Sequence, residues 1–200
     1  MTITAEELLQ RYAAGERDFA GVSLRKIVLV NADLRGINLS NADLTFANLI
    51  AIRLTDANLN QADFTGANLT GARLDRSNLQ GVSFECDAVG AIFDQADLRG
   101  DGMYRSRLNG ARFDKANLEG AILGCTDLLG ASFRNANLRS VDLEEAVGAA
   151  NFTDANLLGA STYDFEFRLG RSIFCRTVMQ DGSIRNDGCL GIADNLCEEK

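Results

Sequence analysis

Little in this chain can do covalent chemistry. Histidine, proline and tryptophan are absent. No Ser-His or Cys-His nucleophile pair can therefore form, and no imidazole is available to a metal. Five cysteines remain, Cys86, Cys125, Cys175, Cys189 and Cys197. None lies in a CxxC pair, which argues against a zinc or thioredoxin-like site. Carboxylates are plentiful: 28 Asp and Glu stand against 20 Lys and Arg, a net charge of −8. Paired carboxylates are the one constellation here suited to acid–base work, and they need a concave site to do it. The sequence thus reads as no enzyme, with no cofactor and no metal.

The elements that would position these groups follow from a period of five. From Phe19 an apolar residue recurs at Leu24, Leu29, Leu34, Leu39, Leu44, Leu49, Leu54, Leu59 and Phe64, and the pattern runs on to Phe152 and Leu157. Two residues before the centre there is usually a small residue, as at Ala42, Ala47, Ala57 and Ala62, and the residue between is often Asn or Asp. Five fits neither the helical period of 3.6 nor the strand period of 2. A turn in every unit reconciles it. Three extended residues put the centre and the small residue on one side, and two trailing residues turn the corner.

Residues 17–164 divide into thirty such units, two of them one residue short: Asp87-Ala88-Val89-Gly90 and Ala146-Val147-Gly148-Ala149. They share the string Ala-Val-Gly-Ala and lie twelve units apart, a whole number of coils if each coil holds four. When every fourth unit is assigned to one wall, the wall that begins at Phe19 carries Asp18, Asn38, Asn58, Asn78, Asp97, Asn117, Asn137 and Asn156 before its centres. Phe93, Phe113, Phe133 and Phe152 recur once per coil. The chain therefore has a twenty-residue superperiod. It predicts about 7.5 coils and a rod roughly 36 Å long, with Phe in one inner column. Cys86 and Cys125 fall at outer corners two coils apart, too far for a disulfide.

The tandem Ala57-Asn58-Leu59, Ala62-Asp63-Phe64 and Ala67-Asn68-Leu69 resemble the pentapeptide-repeat family, cyanobacterial members included, over about three quarters of the chain. The resemblance implies an all-β fold, a right-handed quadrilateral parallel β-helix. It further implies a noncatalytic protein that acts by contacting other proteins, as regulators of heterocyst development do. The alternative it offers is a DNA mimic that binds a type II topoisomerase such as DNA gyrase. A flat convex rod offers an enzyme no pocket.

Three domains are read: a capping helix in 1–16, the β-helix in 17–164 and a C-terminal cap in 165–200. Thr4 and Glu7 form a capping box with Ile3 and Leu8 as staple, and Gly15 ends a helix over Ala5–Ala14. That helix should lay Leu8, Leu9 and Tyr12 over the first coil, unless it serves a partner. In the tail, Asp181-Gly182 marks a hairpin that sets Cys175 opposite Cys189 within about one residue of register. A disulfide is then within reach, a reducing cytosol argues against it, and Cys197 competes for either thiol. Tails of this kind resemble those of cyanobacterial family members, some of them lumenal or periplasmic. Glu6, Glu7, Arg11 and Glu16 rule out a secretory h-region near the N-terminus, so the expected compartment is the cytoplasm.

Surface features can be allotted by wall. The Leu24 wall holds the acidic excess, with Asp43, Asp63, Glu85, Asp101, Asp142, Glu144, Glu145 and Asp164 against Arg25, Lys26 and Arg105. DNA of the same length would carry about twenty charges, so mimicry is weakly supported. Val28, Val30 and Ile50, with Leu129 farther along, point outward on the Leu29 wall and suggest a contact patch for a protein partner. Arg53, Arg73 and Arg112 on the Leu34 wall are interleaved with Asp56, Asp75 and Asp114, which argues against direct nucleic-acid binding. Asp101 takes an inward slot and is expected to turn outward beside Gly102, or to pair with Arg105 or Arg107. No membrane contact is expected, and the protein should be a monomer or weak dimer.

Overall fold

The computed structural model describes residues 2–162 and 170–189. Its body is built from parallel backbone pairings between residues one coil apart: Asp18 with Asn38, Ser23 with Asp43, Val28 with Asn48, Asp33 with Arg53, and so on along four ladders. The hydrogen bonds are reciprocal. Phe19 N donates to Asn38 O at 2.8 Å, and Asn38 N donates to Arg17 O at 2.7 Å. Four ladders at this spacing make a four-sided parallel β-helix. The centres and the small residues before them fill one continuous apolar core from Ile3 to Met179.

The corners explain the rest of the pattern. A full corner closes with a bond from the next inward residue to the preceding centre, as from Ala47 N to Leu44 O at 3.0 Å. The second corner residue has positive φ: Lys26, Phe46, Ala51 and Gln61 lie at 57–59° or, for Ala51, 54°. This is the left-handed region, which β-branched residues strongly resist. The sequence obeys: Thr, Val and Ile occupy first corner positions, as at Thr45, Val30 and Ile50, but among the described residues none of these types has positive φ. The Asx preference before each centre has an equally local cause. The side chain reaches forward over the corner, as where Ser40 N donates to Asn38 Oδ1 at 3.2 Å. On the Phe19 wall it also binds the next coil: Asn58 Nδ2 donates to Asn38 Oδ1 at 3.0 Å, and Asn78 Nδ2 to Asn58 Oδ1 at 3.3 Å.

The two short units are not equivalent. At the first, the corner after Phe84 keeps only Glu85. Cys86 moves into the inward slot, where it is buried and its carbonyl accepts from Arg107 N at 3.1 Å. The expected outer corner position of Cys86 is thus corrected: with one residue missing, the chain has no room to leave it outside. At the second, Ala146 is inward, Val147 pairs with Asp127, and Gly148 stands at the centre. The shared Ala-Val-Gly-Ala string therefore occupies two different registers. Gly148 is required, because a Cβ there would meet Leu129 N at 2.5 Å.

The aromatic core forms two columns rather than the expected one. Phe64 and Phe84 stack at 5.5 Å on the Leu24 wall. Phe84 then meets Phe93 edge-on at 5.8 Å, and the second column runs Phe93, Phe113, Phe133, Phe152, Phe174 at 4.8–5.5 Å on the opposite wall. Phe84 and Phe93 share one coil, and the centre between them is Ala88 instead of Leu. The switch thus keeps the interior volume nearly constant, as close packing demands.

Helix α1 (Ala5–Ala13) precedes the first coil and places Leu8 in the continuous core. Thr4 accepts from Glu7 N at 3.1 Å, as the capping box requires. Leu8 is fully buried, and Tyr12, one turn on, donates its hydroxyl to Arg35 O at 2.8 Å. Leu9 is exposed instead of covering the coil, because it lies about 100° round the helix from Leu8. At the other end the ladders continue past 164 through Asn151 with Ile173 and Asn156 with Val178. β1 (Thr177–Val178) and β2 (Ile184–Arg185) form the hairpin, with Thr177 opposite Arg185. Cys175 and Cys189 are joined, their Cα atoms 4.9 Å apart. Cys189 lies two residues beyond strict register, and the turn at Asp187-Gly188 brings it back. Cys197 and Asp164 lie outside the described residues.

Candidate interaction surface

The backbone of each wall spends its hydrogen bonds on the coils above and below, so recognition falls to the outward rows. On the Leu29 wall, Val28 is 60 % exposed and Val30 is 41 % exposed. Ile50 is half-buried and sits one coil above Val30, whose neighbour Asn31 donates its N–H to Ile50 O at 2.9 Å. The three residues therefore form one apolar patch near the N-terminal end. Leu129 and Val147, both exposed, lie at the far end of the same wall, separated from the patch by the Arg107–Asp87 ion pair.

Sequence reasoning missed Phe46 and Tyr104. Phe46 is 52 % exposed at the corner between the Leu24 and Leu29 walls, beside the patch. Its ring lies over Gly66, where a Cβ would sit 2.5 Å from the ring, and the Arg25 guanidinium stacks on it at 4.8 Å. Tyr104 repeats the device: its ring lies against Gly124, and Arg105 stacks on it at 5.0 Å. The readable signal was an outward aromatic with glycine twenty residues later. Rigid aromatics and arginines are the residue types that anchor protein interfaces.

The acidic residues are not brought into one field. Asp43 and Asp63 are neighbours on the Leu24 wall. Asp43 is held well below the usual carboxylate range, first by the Thr45 hydroxyl bonded at 2.6 Å. Ser83, Gly102 and Ile122 then interrupt the row before Asp142. Glu85 is exposed at the shortened corner, and Glu144 and Glu145 sit at the far end, the first bonded to the Ser161 hydroxyl at 2.6 Å. Asp101 leaves the acidic face altogether. It stays inward with no exposed surface, paired with neither Arg105 nor Arg107, because its backbone is fixed by the ladder on both sides.

On the Leu34 wall the ion pairs differ in detail from the sequence reading. Arg53 faces Asp33 at 3.7 Å, Arg73 faces Asp75 at 3.3 Å, and Arg112 pairs with Asp94. Asp56 pairs with Arg76, and Asp114 takes the Ser132 hydroxyl. Most of these contacts, Arg73–Asp75 excepted, join adjacent coils.

A shallow cavity of about 410 Å³ opens beside the shortened corner, lined by Gly66, Glu85, Cys86, Asp87, Arg105 and Arg107 among others. Among the described residues, no three acidic or cysteine side chains are grouped to hold a metal, and no helix is long and apolar enough to cross a membrane.

A family model for pentapeptide repeats matches residues 18–56, 47–85 and 111–147, in 8 copies. A comparison with curated proteins found no match. Among solved structures, the chain is similar to HetL, a pentapeptide repeat protein involved in heterocyst differentiation regulation in Nostoc sp. strain PCC 7120. The two are 27 % identical over 92 % of this chain and 100 % of that one, with a TM-score of 0.41. It is similar to full-length QnrB1, a plasmid-mediated fluoroquinolone resistance protein, at 20 % identity over 78 % and 81 % of the two chains, TM-score 0.53. A third is the pentapeptide repeat protein Rfr23 of Cyanothece 51142, at 23 % identity over 78 % and 93 %, TM-score 0.39. The likeness to QnrB1 bears on the fold alone.

Proposed function

The chain belongs to the pentapeptide-repeat family, and from that premise we propose that it is a noncatalytic scaffold or regulator that presents flat walls to a protein partner. In this reading the coil is right-handed, runs for about 7.5 turns and is closed by α1 and the C-terminal hairpin. A rod whose backbone is bonded coil to coil loses little conformational freedom when it docks, which favours binding over a flat face. The observation that carries the reading is the apolar patch of Val28, Val30 and Ile50 with Phe46 at its edge, whereas the charged row of the Leu34 wall is spent on internal pairs. The partner itself is to be found by co-purification from the source organism. Val30→Lys with Ile50→Lys should leave the circular dichroism spectrum unchanged and the folding stability within about 0.5 kcal/mol of the parent, and weaken that co-purification. Undiminished recovery of the partner would refute the patch.

The DNA-mimic alternative rests on the acidic Leu24 wall and is weakened by the gap at Ser83, Gly102 and Ile122 and by the burial of Asp101. A gyrase supercoiling assay with micromolar protein separates the two readings. A cytoplasmic location, a monomer or weak dimer, and no direct contact with nucleic acid or membrane complete the proposal. The Cys175–Cys189 disulfide tests the location, since such bonds persist in oxidising compartments. Finding it reduced in protein quenched directly from cells supports the cytoplasm.

A further inference from the structure

Asp101 is, among the described residues, the one carboxylate that takes an inward slot of the core, where a neutral small residue would be expected. Its inward column holds Val82 one coil below and Ala121 one coil above, as the pairings of Ser83 with Gly102 and of Gly102 with Ile122 require. The side chain has no exposed surface. Oδ1 accepts from Val82 N at 3.0 Å, while Oδ2 is buried without a partner. The same joint carries the other irregularities of the fold: the shortened corner at Glu85, the inward Cys86 and the change of aromatic column from Phe84 to Phe93.

We propose that the joint between residues 82–84 and residues 101–103 is a proton-controlled opening point in the rod. With Asp101 neutral the two coils stay bonded; loss of its proton opens this joint in preference to those on either side.

The electrostatics run in the direction this requires. Burial, the largest influence, pushes the Asp101 carboxyl up to about 8, against the opposing Val82 and Gly81 amides, and the like charge of Asp97 adds to the rise. Among the described residues no cation compensates. Arg99 is engaged with Asp97, Arg105 lies over Tyr104 and Arg107 pairs with Asp87. Glu85 and Glu119 on the adjoining corners are exposed. Burial holds the Cys86 thiol up at about 12, so it stays protonated throughout. A carboxyl whose pKa is raised in the folded state binds more protons there than in the opened state. Protection at the joint is therefore complete below the ordinary carboxylate pKa and is lost as pH rises towards about 8.

Amide hydrogen exchange on the full chain tests this. After correction for intrinsic exchange, protection at Val82 and Gly102 should fall about tenfold per pH unit between pH 5 and pH 7. Protection at Leu54–Leu59, several coils away, should stay flat. Asp101→Asn, which keeps the shape, and Asp101→Ala, which restores the residue found at Ala121, should both remove the pH dependence. A pH-independent protection in the parent, or the same slope in both variants, overturns the proposal. The result does not depend on any partner, so it stands or falls separately from the scaffold reading.

Discussion

At the scale of single residues, the two described free cysteines show what position does to one functional group. Cys86 is buried beneath the shortened corner, and its thiol is pushed far up by desolvation. Cys125, at an ordinary corner with φ of 56°, is partly exposed beside Tyr104 and Glu145. In a Cys197→Ser background, iodoacetamide at pH 8 should modify Cys125 within minutes and spare Cys86 until the chain unfolds, as read by peptide mass spectrometry. Equal labelling of both would mean that Cys86 is not inward. The sequence placed Cys125 correctly and Cys86 wrongly for one reason. A missing residue can be counted from the period, but whether the corner or the wall gives it up is decided by packing, here by the two phenylalanines that share a coil with Ala88. Asp101 was misplaced in the same way. Its cost was evident from the residue type, yet the ladder on both sides holds the backbone too firmly for it to turn out.

At the scale of the element, the corner is the unit whose rules the sequence states most openly. The Asx before the centre and the exclusion of Thr, Val and Ile from the second corner position both follow from a turn with one left-handed residue. What lies over a corner was less legible, because it depends on the residue twenty positions away. Gly66 and Gly71 separate the two effects. Both have positive φ, 71° and 66°, but a Cβ at Gly71 meets nothing within 4 Å, whereas at Gly66 it meets the Phe46 ring at 2.5 Å. Gly71→Ala should cost about 1 kcal/mol, the left-handed penalty alone. Gly66→Ala should cost about 1–3 kcal/mol more, because the ring must leave its cradle and its contact with Arg25. Chemical denaturation of both variants measures the difference. If they lose stability equally, Phe46 does not rest on Gly66, and the aromatic edge of the proposed patch is misplaced.

At the scale of the whole molecule, two periods are superimposed, and they carry different energies. The five-residue period lets any full unit follow any other, since the centres of full units are apolar and their corners close alike. The twenty-residue period adds what links like to like across coils: the Asn ladder from Asp18 upward, the Arg–Asp pairs of the Leu34 wall and the phenylalanine stacks. Excision can weigh one against the other. Removing residues 41–60 joins Ser40 to Gln61, which stands at the same corner as Asn41 with nearly the same φ, 57° against 58°. Every wall then continues in its own column, and Asn78 comes to rest on Asn38. Removing residues 41–55 takes five fewer residues and still cuts at a corner, but it turns all that follows by one wall. Arg73 would then lie over Asn38, and the Asn ladder and the lower ion pairs would be broken at the cut. Stability in a stacked array grows with the number of repeats when the interfaces match. The longer variant would therefore be expected to win on length alone. We expect the reverse, with the 41–60 excision more stable by about 1–3 kcal/mol in urea unfolding, the worth of a few cross-coil hydrogen bonds. Both variants should keep a folded circular dichroism spectrum, because the five-residue rule is intact in each. Greater stability in the 41–55 excision would show that wall identity adds nothing to the fold, and that the alignment of surface rows from which the candidate patch is read is not enforced by the cross-coil bonds.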